Sequence, residues 1–425
     1  MGISSENTKI DANQPNKPDV DLFRVSALGN QLIEQLSALR VHDPVYWSEA
    51  QKTWIITGHA EVSEGFKRDI PFSVNRFPRL FSYFPESECE KIPNIMELFP
   101  KFLINIDPPE QQRLRKLMMK AFSRNIAESF RPQACEIIDQ TLSTALKKRV
   151  VEFVGEVAMQ IPARVILRMM GLSDDYYPKV RAWGISVTRG FGAGGATADH
   201  VLRAEEAFGE MRQVFQAEID KRRKNPVGDF ISELVVAEDG GQQLTDADII
   251  ATCMLTIIAG HDTTANTITL AAECLARKPD VIEYIRSNND AIDNIMMELM
   301  RYIAMSATQF RVVARDFEWR GKHFKKGQSV WLAIAAANRD PTVFTSPDTL
   351  DFGRSQNPNL TFAPGIHLCI GHYVARMQLG EFFKRFANRV EHLEVLDEQV
   401  EWDSPLTFRG LRHLNVRLVP REIEF

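Results

Sequence analysis

The chain has 425 residues, 44% of them hydrophobic, with a formal net charge of −5 at pH 7 and an isoelectric point near 6.1. This charge balance excludes the basic surface typical of nucleic-acid binders and of proteins held on membranes by polybasic segments. No apolar stretch approaches the roughly 20 residues that span a bilayer, and the N-terminus lacks the apolar segment of a secretory signal. Five scattered cysteines argue against a disulfide framework and favour a reducing compartment. We therefore expect a cytoplasmic protein with neither a membrane anchor nor a nucleic-acid partner.

The predicted elements follow a polar stretch, residues 1–20, whose composition is typical of a flexible N-terminal arm. Alternating apolar and aromatic residues between 44 and 58 predict two short strands. From residue 110 onward, apolar residues recur at every third or fourth position through 114–122, 137–148 and 205–223. This spacing predicts helices.

The longest predicted element is a helix over about residues 246–277. Thr245 is a suitable N-cap, Asp248 lies in the first turn, where negative charge is favourable, and the pattern ends just before Pro279. Such a helix is ~48 Å long and could cross the whole molecule. After residue 310, short strands alternate with turns, and a last helix and a last strand follow. The sequence therefore predicts a mainly α-helical protein with a minor β-sheet region, with residues 21–425 in a single domain.

The loop FAPGIHLCIG, residues 362–371, places a cysteine between glycines and just before a helical pattern. Glycines near Cys369 allow a flat cofactor to approach the backbone, and a helix N-terminus lowers the pKa of a thiol. The residues leave three interpretations open: an inert buried cysteine, a thiolate that binds the metal of a cofactor, and a zinc site. The zinc site would use His367, Cys369 and His372, but no further cysteine or histidine pair lies nearby to complete four ligands.

The stretch AGHDTT, residues 259–264, places a glycine, an acid and two threonines inside the long apolar helix. Glycine costs about 1 kcal/mol relative to alanine in a helix, and threonine hydroxyls that bond to the carbonyl four residues earlier bend helices. We therefore expect a local distortion. It is either a kink with satisfied polar groups or a proton-delivery pair, Asp262 and Thr263, beside a reaction centre.

The stretch ELMR, residues 298–301, places Glu298 and Arg301 three residues apart on a predicted helix. An exposed pair at this spacing is common and stabilises a helix by about 0.2–0.5 kcal/mol. On its own this motif indicates no function.

In combination, these motifs resemble those of the cytochrome P450 superfamily, specifically its soluble bacterial members. FAPGIHLCIG matches the cysteine loop of that family at every defined position, AGHDTT matches its oxygen-activation motif, and ELMR matches its E-x-x-R motif. Residues 337–341 (ANRDP) and 352–354 (FGR) match the meander region of the family. The resemblance covers nearly all of the chain from about residue 40 and implies a haem-thiolate monooxygenase with the cytochrome P450 fold.

The resemblance implies a role for each matched residue. Cys369 would be the thiolate ligand of the iron in haem b, and Arg115, Arg311 and His367 would hold the two haem propionates. Gln111 stands where many relatives have histidine, so its role is open. The full cofactor-binding set comprises Arg115, Arg311, Phe362, Gly365, His367, Cys369 and Gly371.

Two groups of residues surround this cofactor site in the resemblance. Asp262 and Thr263 would deliver protons to iron-bound dioxygen, with His261 close to them. The second group would form a buried salt-bridge network that positions the cysteine loop, and it comprises Glu298, Arg301 and Arg354.

The substrate site is expected along two variable segments. Residues 75–103 are rich in phenylalanine and proline, and they correspond either to a substrate loop or to core aromatics. The glycine-containing segment 188–200 corresponds either to a lid between two helices or to a flexible linker. Further pocket candidates by position are Met254, Ile258, Ala259, Ala304, Ala307 and Phe408.

The resemblance implies O₂-dependent oxidation, most simply hydroxylation, of an apolar small molecule, in a role typical of secondary metabolism. A separate ferredoxin or flavodoxin, with its NAD(P)H-dependent reductase, would supply the electrons. The chain itself would not bind NAD(P)H, since the sequence contains no glycine-rich dinucleotide motif after a strand. The enzyme is expected to be a monomer. Two alternatives are a peroxide-driven oxidase and a haem sensor without turnover. Both are disfavoured by AGHDTT, because neither function requires the acid and alcohol pair.

Overall fold

The computed structural model describes residues 29, 31–81, 84–191, 197–402 and 406–422. The polar arm at residues 1–20 lies outside the described residues, and so does the stretch 192–196 within the expected lid segment. Helices make up most of the described chain. The α-helices are α1 (Gln31–His42), α2 (His59–Gly65), α3 (Phe77–Phe81), α4 (Glu86–Cys89), α5 (Pro93–Leu98), α6 (Glu110–Met118), α7 (Arg124–Ser129), α8 (Arg131–Lys148), α9 (Gln160–Met169), α10 (Tyr177–Phe191), α11 (Ala198–Lys224), α12 (Phe230–Val236), α13 (Asp246–Arg277), α14 (Pro279–Ser287), α15 (Ile292–Ile303), α16 (Ile334–Ala337) and α17 (His372–Arg389).

Short strands form the minor β part. They are β1 (Val45–Ser48), β2 (Thr53–Ile56), β3 (Phe72–Ser73), β4 (Val150–Glu152), β5 (Glu238–Asp239), β6 (Gln242–Gln243), β7 (Gln309–Val313), β8 (Phe317–Trp319), β9 (Lys322–Phe324), β10 (Ser329–Leu332), β11 (Val390–Val395) and β12 (Asn415–Pro420). The largest sheet has the order β1-β2-β10-β7-β3, in which β2 and β10 run parallel and the other neighbours run antiparallel. A second sheet has the order β11-β12-β4. The predicted fold class is therefore confirmed.

The central helix α13 begins and ends where its sequence predicts. The Thr245 hydroxyl accepts a hydrogen bond from the backbone N–H of Asp248, whose carboxylate accepts one from the N–H of Thr245. This capping box satisfies N–H groups that a helix start otherwise leaves unpaired. The helix runs 32 residues without a break, so AGHDTT interrupts no helical turn. The hydroxyls of Thr256, Thr263 and Thr267 bond back to carbonyls four residues earlier, which satisfies them inside the helix.

Two large apolar clusters pack on opposite halves of α13. One contains Met254 and Ile257 from its first half, together with side chains of α5, α9, α10 and α11. The other contains Ile268 and Leu275 from its second half, together with side chains of α15 and α17. The last helix α17 contributes to both clusters, so the cysteine loop that precedes it is anchored against the same core as α13. Among the described residues, no helix is both long and apolar enough to cross a membrane.

Candidate functional site

The cysteine loop is held in shape by hydrogen bonds from its own backbone and from α6. The N–H of Cys369 donates to the carbonyl of Phe362 at 2.9 Å. The amide of Gln111 on α6 donates to the carbonyl of Ile366 at 2.7 Å, so the residue whose role was open contacts this loop. Gly365 has a φ of +99°, and a Cβ at this position would collide with the backbone of Phe66. Only glycine fits this turn without strain.

Cys369 is an exposed residue that is nevertheless surrounded by protein. The surrounding protein atoms are close enough that burial raises the pKa of its thiol. The backbone N–H of Gly371 and the positive charge of Arg115 act in the opposite direction and lower that pKa. Accessibility together with dense surrounding protein indicates an internal chamber rather than the outer surface. The inert buried cysteine is the interpretation that this geometry disfavours.

Three basic side chains converge beside the cysteine loop. Burial and the charges of Arg311 and Arg115 lower the pKa of His367 to about 3, so its imidazole is neutral at physiological pH. Burial lowers the pKa of Arg311 to about 10, which leaves its guanidinium charged. Burial also lowers the pKa of Arg115, while the Cys369 thiol raises it. Within the described part of the chain, neither arginine forms an ion pair with a carboxylate.

This donor set fits haem. Buried cations without an anionic partner are costly, and two guanidinium groups with one neutral imidazole offer the charge and N–H donors that two propionates require. A cleft lined by Arg311, His367, Ile366 and Asp107 opens at the same place. The chamber therefore has a sulfur ligand on one side and an anion-binding edge, as haem needs.

The middle of α13 also presents accessible side chains although the helix lies in the core. Ala259 is exposed, and Ile258, Asp262 and Thr263 are partly exposed. The Thr263 hydroxyl donates to the carbonyl of Ala259 at 2.6 Å. Its oxygen keeps lone pairs that can accept a hydrogen bond from water or from a ligand. This part of α13 therefore forms a polar notch in an apolar wall.

Asp262 is held by its neighbour His261. The two side chains meet at 2.9 Å between Nε2 of His261 and Oδ1 of Asp262, while Nδ1 of the buried His261 contacts the carbonyl of Ile257 at 2.7 Å. Burial alone would lower the pKa of His261, but Asp262 and the Ile257 carbonyl raise it above its ordinary value. Both ring nitrogens face acceptors, so the favoured form is the imidazolium. No hydrogen bond joins Asp262 to Thr263 among the described residues, so a proton passing between them requires water.

Glu298, Arg301 and Arg354 come together as a buried network. The Glu298 carboxylate accepts hydrogen bonds from Nε and Nη2 of Arg301, both at 2.8 Å, and from Nε of Arg354 at 3.1 Å. Arg301 also donates to the carbonyls of Asn338 and Pro347 in the segment between β10 and the cysteine loop. Glu298 and Arg301 are 1% and 0% exposed, so they differ from the common exposed pair at this spacing.

The six pocket candidates do not gather in one place. Ala304 and Ala307 are fully covered in a small cluster with α1 and β10, and Met254 is likewise buried. Phe408 packs at the edge of the apolar cluster around the second half of α13. Ile258 and Ala259 present accessible surface on α13, and Phe408 is also partly exposed. Fully covered side chains have no surface to offer a ligand, so these three are the candidates that can contact one.

Two residues escaped the sequence reasoning. Gly184 on α10 lies against the His261–Asp262 pair, and a Cβ there would be 2.6 Å from Cε1 of His261. Arg76 extends over the ring of Phe99, with its guanidinium carbon 5.7 Å from the ring centre. In the sequence, only the composition of residues 75–103 pointed to the region of Arg76, and nothing pointed to Gly184. The contact of Gly184 with His261 joins residues that are 77 positions apart in the chain.

Comparisons with known proteins agree with this geometry. The family model for cytochrome P450 matches residues 196–408. The chain is 29% identical over 383 residues to the biotin biosynthesis cytochrome P450 of Bacillus subtilis (strain 168), covering 89% of this chain and 94% of that protein. It is 30% identical over 375 residues to nocardicin C N-oxygenase of Nocardia uniformis subsp. tsuyamanensis, covering 86% of this chain and 88% of that protein.

Solved structures give the same result. The crystal structure of cytochrome P450epoK with epothilone D bound matches with a TM-score of 0.84 at 25% identity, covering 95% of this chain and 100% of that one. The structure of P450BioI in complex with a fatty-acyl-loaded acyl carrier protein matches with a TM-score of 0.83 at 27% identity, covering 92% and 100%. The motifs, the buried Glu298 network and these matches lead to one conclusion: the chain belongs to the cytochrome P450 family.

Proposed function

We propose that this chain oxidises, most simply by hydroxylation, an apolar small molecule that binds between Cys369 and the Ala259–Thr263 segment of α13. Members of the family are monooxygenases and bind haem b through a cysteine thiolate. The observation that carries the proposal for this chain is the exposed Cys369 close to Arg115 and Arg311, which form no ion pair with any of the described residues. Sulfur ligation and an anion-binding edge are the two requirements of haem in such an enzyme.

The residues around the cofactor have separable tasks. When bound, haem would supply the redox chemistry with dioxygen. Cys369 would hold its iron as a thiolate, the form in which cysteine binds metals. Arg115 and Arg311 would neutralise the propionates by charge-assisted hydrogen bonds, and His367 would donate a neutral one.

The polar notch of α13 handles protons. Thr263 offers its oxygen as an acceptor for water while its own proton is held by the Ala259 carbonyl. Asp262 is kept at the notch by His261, and its partial exposure lets water exchange protons with its carboxylate. General acid catalysis through water requires such a carboxylate within reach of solvent.

The substrate and the electron donor are also part of the proposal. On the same stretch of α13, Leu255, Ile258 and Ala259 leave apolar surface uncovered, and such a surface binds apolar molecules through burial of apolar area. Two of the relatives are named for biotin biosynthesis and for N-oxygenation of nocardicin C, and we propose that this chain likewise acts on a biosynthetic intermediate. A ferredoxin or flavodoxin is the proposed donor, as the family resemblance implies.

The test combines a spectrum with isotope labelling. The haem-loaded protein, reduced under carbon monoxide, is expected to show the red-shifted absorption of thiolate ligation, and Cys369→Ala should lose it. With ferredoxin, its reductase and NADPH, one oxygen atom of the product should come from labelled O₂. An unchanged spectrum in Cys369→Ala removes the ligand assignment. Product formed from hydrogen peroxide alone, with no product from O₂, would support the peroxide-driven alternative, and a normal spectrum with no product from any donor would support a sensor.

A further inference from the structure

Arg76 is a charged side chain that the proposed mechanism leaves unused. It lies between β3 and α3, and its guanidinium extends over the face of Phe99. Burial lowers the pKa of Arg76, and no charged side chain of the described residues contributes to that change. The described residues also give it neither a side-chain hydrogen bond nor an ion pair, yet the residue is only half-buried. Among these residues, Arg76 is therefore a cation without an anionic partner.

Arg76 lies outside the group that serves the propionates. The pKa of His367 responds to both Arg311 and Arg115, which shows that these three are close together. Arg76 has no such influence on them, nor they on it. Its charge is therefore available to an anion other than the haem propionates.

The surroundings of Arg76 are a connected set of aromatic rings. Phe99 stacks on Phe191 at 4.5 Å between ring centres, Phe77 lies 4.6 Å from Phe81, and Phe102 stacks on Phe208 at 5.7 Å. These rings belong to, or pack against, the same apolar cluster as the first half of α13, and Leu255 and Ile258 pack against that cluster as well. The phenylalanine cluster, to which Phe191 of α10 and Phe208 of α11 contribute, thus connects Arg76 to the apolar core that contains the first half of α13.

The energetics favour a ligand carboxylate at this place. A cation over an aromatic ring gains less free energy than an unpaired buried charge costs. A carboxylate offsets the remaining cost, because it accepts two parallel N–H bonds from one guanidinium. Phenylalanine rings offer no hydrogen bonds, so the rest of such a ligand must be apolar.

We propose that Arg76 binds the carboxylate of the substrate, so that the substrate class is an aryl or alkyl carboxylic acid with an apolar body lying along the phenylalanine cluster. This inference rests on the proposed function, since it assigns the ligand of the same chamber. The carboxylate fixes one end of the molecule at Arg76, and the other end is directed towards the notch of α13. Oxidation is then expected at a carbon remote from the acid group.

The experiment compares acids with their esters, which have the same body without the charge. Haem-loaded protein is titrated by isothermal calorimetry with 4-phenylbutanoic acid, dodecanoic acid and the methyl ester of each, in the absence of any electron donor. Variants are Arg76→Gln, which keeps hydrogen bonding without charge, and Arg76→Lys. Arg189→Gln is the matched control, because it removes the same charge from an exposed position on α10 close to the phenylalanine cluster.

The expected result is that at least one acid binds wild type about tenfold or more tightly than its ester, a difference of about 1.4 kcal/mol. Arg76→Gln should abolish this difference while ester affinity stays unchanged, Arg76→Lys should keep part of it, and Arg189→Gln should behave as wild type. If neither acid binds more tightly than its ester, or if Arg76→Gln weakens acid and ester equally, the proposal is overturned. Unchanged ester binding also shows that the variant is folded. Binding without electron donors is independent of turnover, so a failure here is distinct from a failure of the monooxygenase proposal.

Discussion

The buried carboxylate of Glu298 provides the sharpest test of how this fold holds its cysteine loop. Replacement by glutamine keeps the shape of the side chain and removes its charge. In the native protein this carboxylate accepts from Arg301, from Arg354, from the backbone N–H of Asp351 and from the amide of Asn357. A glutamine amide would present an NH₂ group to donors at one of the two oxygen positions, so part of this network must break.

The expected loss of folding stability in Glu298→Gln follows from the burial of its partner. Arg301 is completely buried, and its remaining partners are backbone carbonyls, including those of Asn338 and Thr349. Loss of one member of a buried ion pair costs about 3–5 kcal/mol, because the other charge is left uncompensated. With an unfolding entropy of about 2.1 cal/mol/K per residue over the whole chain, this corresponds to a fall in Tm of about 3–6 °C.

The assay is differential scanning calorimetry of wild type and Glu298→Gln at equal haem content, since bound ligand itself raises Tm. Asp199→Asn is the control. It breaks the Asp199–Arg203 pair, whose atoms meet at 2.9 Å with side chains 67% and 66% exposed, and exposed pairs contribute about 0–1 kcal/mol. If Glu298→Gln melts within 1 °C of Asp199→Asn, at about the experimental error, the argument from burial is refuted.

The same pair of proteins has a defined pH dependence. Burial raises the pKa of Glu298, but hydrogen bonds from Arg301 and from the N–H of Asp351 lower it more, so the net shift is downward. A carboxylate with a lowered folded-state pKa stabilises the protein above its unfolded-state pKa, near 4.3, and loses this contribution as the pH falls further. The difference in Tm between wild type and Glu298→Gln should therefore stay constant from pH 7 to about pH 5 and shrink below about pH 4. A difference that grows on acidification would contradict the assignment.

Two further substitutions test the notch of α13. Thr263→Ala removes the hydroxyl bonded to Ala259, and we expect unchanged substrate binding but less product and more peroxide per NADPH, with Thr263→Ser restoring most of the yield. Equal product per NADPH in Thr263→Ala and wild type would exclude Thr263 from proton handling. Gly184→Ala places a Cβ 2.6 Å from His261. We expect a loss of stability of about 1–3 kcal/mol from overpacking and a lower product yield as His261 is pushed away from Asp262, which calorimetry and product analysis measure. A Gly184→Ala enzyme with normal yield would show that the His261–Asp262 contact is dispensable.

Local signals explain why so much of the secondary structure could be predicted. The cap at Thr245 and the proline at 279 define α13 within the chain itself, and the helix occupies the predicted 246–277. The two strands predicted within 44–58 are β1 and β2. Past residue 310, the turns at Arg320-Gly321 and near Gly327 adopt positive φ, as expected for glycine-containing turns between short strands. Each of these features depends on residues only a few positions apart.

The parts that could not be predicted depend on long-range contacts. No pattern in 53–56 shows that β2 pairs in parallel with β10, nearly 280 residues later. The burial of Glu298 and Arg301 is another case, because their spacing alone suggests an exposed pair, and only the resemblance to the family implied a buried one. The sequence also left open how the polar groups of AGHDTT are accommodated: α13 continues through this stretch, and the Thr263 hydroxyl is satisfied by a carbonyl of the same helix.

The His261–Asp262 contact shows where sequence reasoning ends at this site. Adjacent residues on a helix point in directions about 100° apart and do not normally face each other, so the motif alone gives no reason to pair them. The imidazole reaches back to the Ile257 carbonyl through Nδ1, which turns Nε2 towards Asp262. The ring needs the space that Gly184 of α10 leaves open, and that residue is 77 positions away in the chain. The position of the acid at the notch is therefore set jointly by α13 and α10, and any movement of α10 on substrate binding would be transmitted to Asp262 through His261.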